Sequence, residues 1–137
     1  MNIYLSINNR EQVIKLPVLP SELSISDPQN NENFDSIEKG EMKLIGKSGL
    51  KSFDIQSFFP ANDYYFVRDR AYSGIEYIEL LEEWKERRVP IRVVIDEMNI
   101  NLPMAIEELT YSSEDGTKDI YYTLSLEQFR FVFAERV

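Results

Sequence analysis

The sequence predicts a mainly β fold of the α+β kind, with about seven to nine strands around one packed helix in a single domain spanning residues 1–137. Three observations carry this reading. Apolar and polar residues alternate along most of the chain, the period-2 signature of half-buried strands. One stretch alone, at about residues 74–88, repeats its apolar residues at spacings of three and four. Turn-forming residues (Asn-Asn, Asp-Gly and Pro) separate the alternating runs.

Taken in order, Ile3, Leu5 and Ile7 alternate with polar or amphipathic residues, Asn8-Asn9 predicts a turn, and "QVIKL" supplies a return strand. Pro17 and Pro20 then stop the pairing, because proline has no ladder donor. "SELSIS" predicts a short strand with Leu23 and Ile25 on one face. "DPQNNENFDS" is the most loop-like stretch, since Asp, Asn and Pro favour turns; it reads as a solvated loop or as an arm ordered by a partner. From Phe34 to Phe59 the alternation returns, with Met42 and Leu44 in one run and Phe53 and Ile55 in the next. Gly46 to Gly49 predicts the turn between those two runs.

"FFPANDYYFVRDRAYSG" is an aromatic-rich connection into the helix. Ser73 with Glu76 three residues on predicts a capping box. Ile75, Ile78 and Leu81, with Tyr77, Leu80 and Trp84 beside them, form the apolar face. Lys85, Arg87 and Arg88 complement the dipole at the C-terminal end, and Pro90 ends the helix. "IRVVID" and "NINLPMAIEELTYSS" predict further strands, the second with a phase change near Pro103 that indicates a bulge or bend. The Asp-Gly of "EDGTKD" predicts a hairpin turn into "IYYTLSLEQFRFVFAERV".

Histidine and cysteine are both absent. Thiol nucleophiles, disulfides, Cys/His zinc sites and Ser-His-Asp triads are therefore excluded, leaving carboxylates, lysine, tyrosine and hydroxyls for any catalysis. The net charge of −9, from 24 acidic and 15 basic residues, disfavours direct nucleic-acid binding and anionic membranes. No apolar run approaches the roughly 20 residues of a spanning helix, and the N-terminus lacks a signal-peptide pattern, so a soluble chain is expected.

The candidate motifs weaken on inspection. "GEMKLIGKSG" resembles a phosphate-binding loop, but five residues rather than four separate Gly40 from Gly46, and "GLKSFDIQSFF" after Ser48 alternates like a strand. Without a following helix N-terminus nothing holds the anion. Glu79, Glu82, Glu83 and Glu86 read as the solvated face of the helix. "EDGTKD" lacks the ligand spacing of a calcium loop. Phe58, Phe59, Tyr64, Tyr65, Phe66 and Tyr72 form an aromatic group that suits a core lid, an interface anchor or a sugar-stacking platform. No catalytic, cofactor-binding or metal-binding residue emerges.

"IGKSGLKSFDIQSFFP", "WKERRVPIRVVI" and "DGTKDIYYTLSLEQFR", in that order along the chain, carry a family resemblance. The chain resembles the N-terminal domain of LysM-associated baseplate and tail-assembly proteins of contractile phages, defective prophages and phage-tail-like bacteriocins. Many members of that group continue into a LysM module after the segment matching "LEQFRF", whereas this sequence runs only to Val137. The resemblance implies a tail-tube-like antiparallel barrel or sandwich and a non-enzymatic virion protein, assembled in the bacterial cytoplasm. It further implies an adaptor or tube initiator that joins baseplate hub to tail tube. Its implied partners are other copies in a ring, the tail tube protein, the baseplate hub protein and the tape measure. On that view Asn30, Asn31, Phe34, Phe58, Phe59, Tyr64 and Tyr65 are the interface candidates. A cell-wall carbohydrate-binding module of a tail or lysis apparatus is the alternative, resting on the aromatics.

Overall fold

The computed structural model describes residues 1–62, 64, 66–113, 116 and 118–131. The opening alternation forms the expected hairpin: β1 (Ile3–Ile7) pairs antiparallel with β2 (Gln12–Lys15) across the Asn8–Glu11 turn. Asn8, Asn9 and Arg10 all take positive φ there, a conformation that asparagine tolerates better than most residues. The other elements are β3 (Glu32–Ser36), β4 (Gly40–Leu44), β5 (Ser52–Phe59), α1 (Ile75–Glu86), β6 (Ile91–Ile95), β7 (Ile100–Ser113) and β8 (Ile120–Gln128). Among the described residues, eight strands and one helix agree with the mainly β expectation.

Six strands form one antiparallel sheet in the order β2-β1-β6-β7-β8-β5, curled as a half-barrel. Its register aligns the apolar residues in rows on one face. Ile14, Leu5, Val93 and Leu102 make one row; Phe53, Leu126 and Ile106 make another; Ile55, Leu124 and Leu109 make a third. α1 covers that face with Tyr77, Ile78, Leu80, Leu81 and Trp84, all in the same core cluster. Burying that stripe is what holds so short a helix in place. Trp84 anchors it to the far end of the sheet by donating its indole N–H to Gln12 Oε1 at 2.9 Å.

The segment after β2 links the two ends of the curled sheet. The Leu16 amide donates to Ile3 O, the Ser57 hydroxyl donates to Val18 O, and Ser26 bridges Ser52. "SELSIS" is therefore not a paired strand: Leu23 and Ile25 pack on the core, and only the Ser26 bridge forms. The predicted phase change in β7 occurs between Ile106 and Glu108, a few residues beyond Pro103. Glu107 is the extra residue, which keeps both Ile106 and Leu109 on the helix side. Pro103 itself is tolerated because its ladder side faces the end of β8, where its carbonyl accepts from the Phe129 amide.

Two details of the helix differ from the sequence reading. Gly74, not Ser73, occupies the cap, at φ +46, with Lys118 O and the Ala61 Cβ at 3.2 and 3.4 Å from where a Cβ would stand. Half of the capping box survives, since Glu76 Oε1 accepts from the Ser73 amide at 3.2 Å. The left-handed entry also turns Ile75 outward, leaving it 45% exposed rather than in the core.

Candidate functional site

The loop-like "DPQNNENFDS" contains β3, and its partner is β4. Together they form a two-stranded ribbon separate from the main sheet. Gly46–Gly49 is not the turn between β4 and β5 that its glycines suggest. Those residues run antiparallel to Pro28–Asn31 and form a stalk joining the ribbon to the edge of β5. The Asn30 amide donates to Lys47 O, the Gly49 amide to Pro28 O, and the Gly46 amide to Asn31 Oδ1, each at 2.8 or 2.9 Å. Amides committed in this way do not converge on a phosphate. Gly46 is required by close approach, because a Cβ there would lie 1.7 Å from Asn30 O. Arg130 steadies the stalk by donating to Ser48 O and Gly49 O.

The ribbon is amphipathic yet stands in solvent. Phe34 lies opposite Met42 and Glu32 opposite Leu44, which puts Phe34, Met42 and Leu44 on one face. Asn33 with Lys43, and Asp35 with Glu41, occupy the other. Phe34 is 49% exposed, Leu44 57%, and Ile37 at the tip fully exposed. A lone two-stranded ribbon is marginal in water, and the like charges of Asp35 and Glu41 weaken it further. The apolar stripe is thus left displayed on an element that buries none of it in the core. Asn31 accepts the Gly46 amide and the Asn30 carbonyl abuts Gly46, so both asparagines shape the stalk that carries Phe34.

The second candidate group divides. Phe59 points into the core, stacked between Tyr77 and Tyr122, so it is unavailable as an exposed interface anchor. Phe58, one pleat away, faces outward and meets Tyr64, Phe66 and Tyr121 edge-on or tilted at 5.4 to 6.1 Å. Tyr64 and Phe66 stack at 5.1 Å. Tyr65 lies outside the described residues.

This outer cluster is organised by Asp119, which the sequence did not single out. Asp119 is 3% exposed and accepts from the Ala61 amide at 2.7 Å and from the Tyr64 hydroxyl at 2.6 Å. The bond to the carboxylate raises the Tyr64 phenol above its ordinary value. With their edges and faces against one another and one hydroxyl tied to a carboxylate, these rings form a packed lid more than an open sugar platform.

Among the described residues no group of three or more Asp or Glu is placed to hold a metal ion, and no helix is long and apolar enough to cross a membrane. What the geometry defines is a strand-rich body that presents an exposed apolar ribbon.

Comparison with known proteins agrees. Residues 18–137 match the model of the Dit-like phage tail protein family, and the chain belongs to that family. YqbP of Bacillus subtilis (strain 168), described as an uncharacterized protein, is 30% identical over 128 residues. The match takes in 90% of this chain but only 58% of that relative's length. Two solved structures share the fold. One, described as the virion of a native gene transfer agent particle, has a TM-score of 0.59 at 15% identity, covering 94% of this chain and 92% of its own. The other, the tail of an empty gene transfer agent particle computed with C6 symmetry, has a TM-score of 0.58 at 17% identity, covering 98% and 96%. The chain is thus a phage-tail structural domain, as the resemblance in its sequence implied.

Proposed function

We propose that this chain is a non-catalytic ring subunit that joins baseplate hub to tail tube in a phage-type tail, with other copies of itself as its first partners. The observation that carries the reading is the ribbon β3–β4, whose apolar face is left exposed by the described residues of one chain. Burying an apolar side chain of this size is worth roughly 1.5–3 kcal/mol, so covering Phe34, Ile37, Met42 and Leu44 favours association strongly. Membership of a tail-protein family supports the setting, and the sixfold tail that shares this fold supports a ring. The adaptor position, the tube and hub neighbours and the tape measure follow from the resemblance and are part of the proposal.

The test is assembly. Purified chain, concentrated and followed by sedimentation velocity and negative-stain electron microscopy, is expected to form rings or short tubes. Phe34→Asp with Leu44→Asp should leave a folded monomer with an unchanged circular dichroism spectrum. A wild-type chain that stays monomeric at every concentration, and instead pulls down with purified cell wall, would overturn the reading in favour of a carbohydrate-binding module.

A further inference from the structure

A second feature of the body is complementary to the ribbon. A groove of about 570 Å³ opens between the β1–β2 turn and the start of β6. Val89, Pro90, Pro103 and Phe131 give it an apolar lining, and Arg10 and Arg92 lie along it. Val89 is 40% exposed and Phe131 51%. Arg92 donates to Asn101, and Arg10 has no ion pair or hydrogen bond among the described residues. Two arginines beside an apolar groove stand out in a chain of net charge −9.

The ribbon has the opposite character. Between residues 32 and 44 it carries four carboxylates against two lysines. Glu32 shares the face of Phe34 and Met42, because it pairs with Leu44 in the same register. Glu38 sits beside Ile37 at the tip. Apolar side chains flanked by carboxylates thus match an apolar groove flanked by guanidinium groups, which pair readily with carboxylates.

The two features do not meet in this chain. The ribbon springs from β5, and no residue of the ribbon or stalk lines the groove, which is built from the β1–β2 turn, the start of β6, Pro103 and Phe131; Arg130 beside Phe131 reaches only the stalk. Resting on the ring reading above, we propose that the ribbon of one copy seats in the Arg10–Arg92 groove of a second copy of this chain. Such a contact joins two different patches, so it is head-to-tail and propagates into a closed ring or an open helix.

The absence of cysteine makes the test direct, because engineered thiols are the only ones present. Ile37→Cys mixed with Val89→Cys should form a disulfide-linked dimer under mild oxidation. The control is Ile37→Cys mixed with Met98→Cys, since Met98 is 40% exposed like Val89 but lies in the β6–β7 turn, away from the groove. Seating raises the local thiol concentration, so the Val89 pair should crosslink at least about tenfold faster. Glu38→Arg should abolish the preference and Arg10→Glu in the partner should restore it. Rings that form while Val89 and Met98 crosslink at equal rates would overturn this inference and leave the ring reading standing. Neither rings nor a preference would overturn both.

Discussion

The ring of Phe59 lies flat on that of Tyr122, with centroids 4.1 Å apart and planes within 4°. Its opposite face stacks on Tyr77 from α1 at 4.6 Å, so three aromatic layers tie β8, β5 and the helix into one column. The column makes the helix-to-sheet contact specific at the end of the sheet remote from Trp84. Stacked pairs of this kind add roughly 0.5–1.5 kcal/mol beyond the area they bury.

The Tyr122 hydroxyl in the column is buried without a hydrogen-bond partner among the described residues, and the Tyr77 hydroxyl is buried near the Tyr72 backbone. Burial accordingly pushes the Tyr77 phenol up to about 12 and the Tyr122 phenol higher still. An unsatisfied buried hydroxyl costs about 1–3 kcal/mol. Tyr122→Phe should therefore stabilise the protein by about 1 kcal/mol in urea unfolding, with the stack preserved. Phe59→Ala should cost about 3–5 kcal/mol through the cavity it leaves. A Tyr122→Phe variant less stable than wild type would mean that the hydroxyl is satisfied after all.

Gly46 controls the ribbon without touching the core. Any side chain there collides with Asn30 O, and both collision partners are backbone. Gly46→Ala should split the stalk and free the ribbon while the six-stranded sheet stays intact. Hydrogen exchange is the appropriate readout: amides of β3 and β4 should lose their protection, and those of β1, β6 and β8 should keep theirs. Loss of protection throughout would show that the stalk supports the whole fold.

How much of this was legible in the sequence depended on whether one face of an element is buried. Phe53 and Ile55 alternate with Asp54 and Gln56 because α1 covers one face of β5, and the same holds for Tyr122, Leu124 and Leu126. That alternation already carried a signal about the aromatics, since extending it places Phe59 inside and Phe58 outside. Of the ribbon, the alternation of Met42 and Leu44 marked β4, but β3 was hidden for the opposite reason. Both its faces meet solvent, so β3 reads as Asn, Asp and Glu with one stray Phe, which is also how a loop reads. Gly46–Gly49 misled because a turn and a close backbone approach make the same local demand for glycine. Only the distant Asn30 carbonyl distinguishes them. Asp119 showed only as the end of the "EDGTKD" turn, since its partners lie 55 to 58 residues away.

Glu11 supplies a pH-dependent link between the β1–β2 turn and the helix. Its Oε2 lies 2.8 Å from Arg87 Nη1, and that hydrogen bond, helped by Asn8, holds the carboxyl below its ordinary value of 4.5. A lowered native value means that the stabilisation is present above pH 4.5 and is lost as pH falls through the lowered value. Because the pair is exposed, the effect should be small and screened by salt. Glu11→Gln should lower the melting temperature slightly at neutral pH, and the difference should vanish as the pH falls through the lowered value. A difference that survives in acid would assign the effect to packing.

Arg88 closes the helix in a conformation that suits glycine. It follows the C-cap Arg87 with φ +57, and its amide donates to Lys85 O, so it sits where helices most often place an αL glycine. An L side chain pays roughly 1 kcal/mol or more for that conformation. Arg88 also makes no ion pair among the described residues that would offset the strain. Arg88→Gly should then stabilise the fold by about 0.5–1 kcal/mol, less a small loss of favourable charge at the end of the helix dipole. In a domain of this length that corresponds to a rise of about 2–4 °C in melting temperature. Arg88→Ala separates the two contributions: it removes the charge but keeps the Cβ, so it should show the loss without the gain. Equal melting temperatures for Arg88→Gly and Arg88→Ala would mean that the left-handed residue is not strained.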